Sequence, residues 1–147
     1  MMTQTPIKII TLWAVFLLGT LFHTQLGLMP LFHNQPIAFS DPHGTANLAV
    51  ILWLMLAFFL VPMAVMIATL FIQSKLYRKF HFGCTLAYSG LNLAHILADL
   101  FVQPIAWYQI TLMVVLFLIG LLLNRVGWQW LNEPSKLYFS SHSSANF

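Results

Sequence analysis

Four long apolar segments run along the chain, at residues 7–31, 46–72, 82–103 and 105–131. Each has the ~20 residues that a helix needs to cross the hydrocarbon core of a bilayer. The third differs from the others, because one stripe of it is polar. Thr85, Tyr88, Asn92, His95 and Asp99 recur at steps of three, four, three and four, which puts them on one helix face. Such a face cannot point into lipid, since an unpaired polar group in hydrocarbon costs several kcal/mol. It must meet other helices, a bound group or water. The pattern predicts an all-α polytopic membrane protein: a single transmembrane domain built as a four-helix, up-down-up-down bundle, with a mobile polar tail over 132–147.

The other segments differ in detail. In the first, Gly19, His23, Gly27 and Pro30 share a face on which a neighbouring helix can approach closely, and Pro30 ends or kinks the helix. The second is almost wholly apolar, with Pro62 in mid-span as a bending point, and its methionines read as adaptable packing. The fourth is apolar over 112–123 and reads as a wall facing lipid or a partner. The loop between the first two segments carries Pro36, Asp41-Pro42 and Gly44, and Thr45 is placed to N-cap the second helix.

Composition strengthens the membrane reading. Charged residues make up 6% of the 147, against about 25% in a soluble domain. The net charge of +3 is the balance of three acidic residues and six cations, Lys8, Lys75, Arg78, Lys79, Arg125 and Lys136, and the cations all lie on one side of the expected topology. They read as topology signals and not as a nucleic-acid footprint. Both termini are therefore expected on the cytoplasmic side, as in a bacterial inner membrane or a thylakoid. Trp13, Trp128 and Trp130 are expected at the inner interface, and Trp107 and Tyr108 at the outer one, as an aromatic belt. His81, beside Arg78 and Lys79, reads as a headgroup-level residue. The first segment is too long for a signal peptide and no small-residue cleavage site follows it, so it is expected to stay as a helix.

Several chemistries are excluded. Cys84 is the only cysteine, so there is no intrachain disulfide and no CxxC redox pair. No Gly-rich phosphate loop, HExxH or GxSxG is present. Three acidic residues cannot build a two-metal carboxylate centre within one chain. No glutamate or arginine lies in mid-membrane, as glutathione-dependent enzymes or acidic-residue exporters of this size would require.

What remains is a cluster of His and Asp. His23 lies seven residues before Pro30, and His95 nine before Pro104. At ~1.5 Å per residue, both imidazoles fall roughly 10–14 Å below the outer surface. Asp99 follows His95 by one turn on the same face, and His33 and His43 lie in the outer loop above. An ionisable residue inside the membrane points to a functional site, because it is expensive to keep there. Three chemistries fit. One is a metal ion held by His23, His95 and Asp99, with His33 and His43 as a lid. Another is a b-type haem between His23 and His95, although no outer cation stands ready for its propionates. The third is quinone binding or proton relay, continued inward by Tyr88 and Asn92. The alternative from a different class is a non-catalytic accessory or assembly subunit of a larger membrane complex, or a self-associating one. In that case the stripe is interhelical glue. The concentration of His and Asp in the outer half favours the binding site, with the accessory subunit as the alternative, and either is compatible with an enzyme or a non-enzyme.

Overall fold

The computed structural model describes residues 4–33, 47–102 and 105–134. They form four helices: α1 (Gln4–Phe32), α2 (Leu48–Phe71), α3 (Lys75–Asp99) and α4 (Trp107–Asn132). Three of these, α1, α2 and α4, are long and apolar enough to cross a membrane. Of the four spans expected from the sequence, α3 is the one that is not in this class. Helix α3 is as long as the others, with 25 residues, but its polar stripe and basic start keep it out of that class.

Helix α3 also begins seven residues earlier than its apolar segment, so the basic YRKF stretch is helical. Ser74 caps it, accepting a hydrogen bond from the Tyr77 backbone N–H at 3.2 Å. Cations in a first turn oppose the helix dipole. Arg78 resolves this by reaching the opposite kind of helix end. Its Nη1 donates to the Trp130 and Glu133 carbonyls at the C-terminus of α4, each at 3.0 Å, and its guanidinium lies 5.4 Å from the Trp130 ring centroid. At the start of α2 the cap is Asn47, whose Oδ1 accepts from the Ala49 N–H at 3.0 Å. The cap is therefore two residues later than the Thr45 expected; Thr45 itself lies outside the described residues.

Helix α4 is the central element, not a wall. It buries Ile110, Met113, Leu116, Gly120, Leu123, Gly127 and Trp130 at steps of three and four, and packs on both α1 and α3. A helix that is apolar all round hides its buried face from a reading of the sequence. Small residues set the close approaches. A Cβ at Gly19 would fall on the Leu116 side chain, and one at Gly120 would come within 2.9 Å of Ser89 Oγ. Gly27 faces Gln109 of α4, so the small-residue face of α1 does receive a neighbour.

Trp13 and Trp130 are fully buried and do not belong to an interfacial belt, whereas Trp107, Tyr108 and Trp128 are exposed. His81 is fully buried as well, and so is not a headgroup-level residue. Trp13 Nε1 donates to His81 Nε2 at 3.1 Å, and the Trp130 ring packs edge-on against the imidazole. The indole N–H needs an acceptor when buried, and His81 supplies it. The sequence did carry a signal for this: His81 lies four residues before Thr85 and so extends the polar stripe by one turn.

Helix α2 is the peripheral one. It packs on α1, and tyrosines of α3 reach its backbone. Pro62 sits inside α2 and has no N–H for the carbonyl of Phe58, four residues earlier. The Tyr88 hydroxyl donates to that carbonyl at 2.7 Å. Two turns on, the Tyr77 hydroxyl donates to the Val65 carbonyl at 2.6 Å. The proline and the tyrosine form a unit: the first frees an acceptor inside an apolar helix, and the second satisfies it from a neighbour.

Candidate metal and ligand site

The stripe on α3 separates into two parts. Its inner members are consumed by packing. Thr85 bonds its own helix at the Phe82 carbonyl, and Tyr88 is committed to Phe58. Tyr88 also stacks edge-to-face on Trp13, with ring centroids 5.2 Å apart. Its outer members, Asn92, His95 and Asp99, are not consumed. The Asn92 side chain is 6% exposed and makes one weak contact, Nδ2 to Met113 Sδ at 3.9 Å, which leaves Oδ1 without a partner. His95 Nε2 lies 3.5 Å from Asp99 Oδ2, within ion-pair reach but too long for a good hydrogen bond. Asp99 Oδ2 is buried with no hydrogen-bond partner.

His23 comes to this place from α1. It is 9% exposed and its Nδ1 has no partner. Its ring meets that of His95 edge-to-face, at a centroid distance of 5.4 Å. Ligating atoms of His23, His95 and Asp99 all lie within 4.8 Å of one another. Two features put them there. The i, i+4 spacing gives His95 and Asp99 one face of α3, and the close packing of Gly19 and Gly27 on α4 holds α1 near that face.

His33 does not join this group. It is exposed at the end of α1, ten residues beyond His23 and so about 15 Å further along the axis. His43 lies outside the described residues, as do the Asp41-Pro42 turn, Gln103, Pro104 and the tail from residue 135.

A cavity of about 400 Å³ adjoins the histidines. Its polar lining is His23, His95 and Asn92, with Thr20 and Thr24, whose hydroxyls already donate to carbonyls of their own helix. The rest is apolar: Leu54, Met55, Phe58 and Phe59 of α2, Leu91 of α3 and Met113 of α4. The contribution of α2 is not legible in the sequence, because nothing in an unbroken apolar run says which of its residues borders a cavity. Asp99 also lines a second space of about 50 Å³, with Val102, Ala106, Gln109 and Ile110, between the end of α3 and the start of α4. That is room for a water molecule. No family model, curated protein or solved structure matches this chain.

Proposed function

We propose that this chain is an integral membrane protein, a four-helix up-down-up-down bundle with both termini on the cytoplasmic side, that holds a divalent transition-metal ion in the outer half of the bundle. His23, His95 and Asp99 are the ligands. The observation that carries this reading is the meeting of two imidazoles and a carboxylate from two helices, with donor atoms within 4.8 Å. Two of these groups, His23 and Asp99, hold buried polar atoms that nothing among the described residues satisfies. Imidazole and carboxylate ligate zinc at ~2.0–2.2 Å, so a shared ion draws their donor atoms to about 4 Å or less. Small side-chain rotations achieve that. Three protein ligands leave a further coordination position open, as in sites where a metal binds a substrate or water. A haem between the two histidines fits less well, because the rings are already in contact and a porphyrin would have to part them.

The test is metal titration of the detergent-purified chain with Zn²⁺, followed by elemental analysis after gel filtration. One ion per chain is expected, and Asp99→Asn and His95→Ala should each weaken binding at least tenfold, about 1.4 kcal/mol. Absence of stoichiometric metal, or affinity unchanged in both variants, would overturn the proposal.

A second reading, an accessory subunit of a larger membrane complex, is favoured by a different observation. Gly83, Ala87, Gly90, Ala94 and Ala98 form an exposed stripe on α3, directly opposite its buried face. Cβ atoms built at Gly83 and Gly90 meet nothing within 4 Å. Stripes of small residues let membrane helices approach closely, so this face suits a helix of another subunit or of a second copy.

A further inference from the structure

The 400 Å³ cavity is a binding site in its own right, and its chemistry specifies a class of ligand. Pockets of 300–1,000 Å³ that are mostly apolar with a few placed polar groups are typical of small-molecule sites. Here the placed groups are Asn92 Oδ1 and His23 Nδ1, on side chains at least nine-tenths buried and without partners. A buried, unsatisfied polar atom costs about 1–3 kcal/mol, and a ligand that bonds to both removes that cost. The amide and the imidazole are neutral hydrogen-bonding groups, and among the described residues no Lys or Arg lines the cavity. A carboxylate or phosphate head would therefore be buried without a counter-charge.

The head must be neutral, with a hydroxyl to donate to Asn92. It must also be flat and aromatic, given what surrounds it. Phe58 and Phe59 line it with aromatic rings, and the thioethers of Met55 and Met113 make favourable contacts with such rings. The opening fixes the rest of the molecule. Leu54 of α2 and Leu91 of α3 line the cavity and are both more than half exposed, which places its opening between these helices. The tyrosine contacts that tie α2 to α3 lie at Phe58 and further inward, so the two helices frame a lateral mouth outward of them. A chain leaving this mouth runs along apolar side chains.

We propose that the cavity binds a lipid-soluble quinol: an aromatic diol ring seated against Asn92 and His23, with its apolar tail leaving between α2 and α3. The proposal rests on the reading of the chain as a membrane protein. It does not require the metal ion: Asp99 is not part of the cavity lining, and His23, which both readings use, serves the quinol when the metal is removed.

The experiment uses the full chain in nanodiscs, treated with chelator and kept anaerobic, and titrates decyl-benzoquinol as the probe. Saturable binding with a stoichiometry of one is expected, together with a rise in melting temperature at saturation. Asn92→Leu, which removes the acceptor at similar volume, should weaken binding at least tenfold. Leu91→Trp, which fills the mouth from an exposed position, should abolish it while circular dichroism stays unchanged. Asp99→Asn should lose Zn²⁺ and keep the quinol, so that failure of the metal reading and failure of this one are separable. Non-saturable partitioning identical in wild type, Asn92→Leu and Leu91→Trp would overturn the proposal.

Discussion

At the scale of single residues, the structure turns on polar atoms that an apolar surrounding leaves without water. Each must find a partner in the protein or keep its cost. Trp13 gives its indole N–H to His81, and this fixes the imidazole: Nε2 accepts from the indole, so in the neutral ring the proton sits on Nδ1, which is buried with no partner among the described residues. Tyr88 and the Phe58 carbonyl form a second pair, and here the cause is a proline. The cost of losing Tyr88 should therefore depend on Pro62. Tyr88→Phe leaves a buried carbonyl unsatisfied and should destabilise the chain by ~1–3 kcal/mol. Pro62→Ala restores an N–H to that carbonyl through the regular helix ladder. In the Pro62→Ala background, Tyr88→Phe should then cost about half as much or less, as read by reversible unfolding in detergent micelles. Equal costs in both backgrounds would show that the tyrosine acts only through ring packing. His23, Asn92 and Asp99 keep unsatisfied atoms as Arg78, His81, Asn124 and Trp130 do, and differ from those four in bordering the two cavities described above.

At the scale of elements, α3 has two opposed faces, and its glycine-bearing contacts separate them. On the buried side, Ser89 accepts a hydrogen bond from Asn124 Nδ2 at 2.9 Å and sits against Gly120 of α4. A methyl group at Gly120 would reach within 2.9 Å of that hydroxyl. Gly120→Ala should thus push the two helices apart or break the Asn124 bond, and lower stability by roughly 1–3 kcal/mol. Gly90 looks the other way, into open space. Gly90→Leu should leave the unfolding free energy of the purified chain within about 0.5 kcal/mol of wild type. If the outer face docks a helix, the same change should remove a crosslinked partner or dimer from native membranes. Crosslinking unaffected by Gly90→Leu would argue against that face as an interface. The pair of variants therefore separates the packing that builds the chain from the packing that would build a complex.

At the scale of the whole molecule, what could be read from the sequence divides along the same line as the chemistry. Polar residues in an apolar chain are informative, because each one demands an explanation. The polar stripe, the i, i+4 relation of His95 to Asp99 and the approach of His23 were all legible for that reason. Apolar residues are not informative in lipid-like surroundings, since exposed and buried positions share one composition. The central place of α4, the burial of Trp13 and Trp130 and the share of α2 in the cavity were hidden for that reason. Charge is the remaining signal. Thr5 bonds to Glu133, and Arg78 bonds to the Glu133 carbonyl, so the start of α1, the start of α3 and the end of α4 share one end of the molecule. Lys8, Lys75, Arg78 and Lys79 lie on those segments, while the His/Asp cluster lies toward the other end of α3. Loops rich in Lys and Arg stay on the cytoplasmic side, so the cluster should open away from it. Cysteine labelling tests this directly, because Cys84 is the only native thiol and Cys84→Ser gives a silent background. A cysteine introduced by Ser40→Cys, between α1 and α2 in the sequence, should react with a membrane-impermeant maleimide added outside intact cells or right-side-out vesicles. One introduced by Ser135→Cys should react only after the membrane is opened. The reverse pattern would invert the molecule and put the His/Asp cluster on the cytoplasmic side. Labelling of both positions from one side would mean an even number of crossings between them, and would remove α3, the least apolar helix, from the membrane-spanning set.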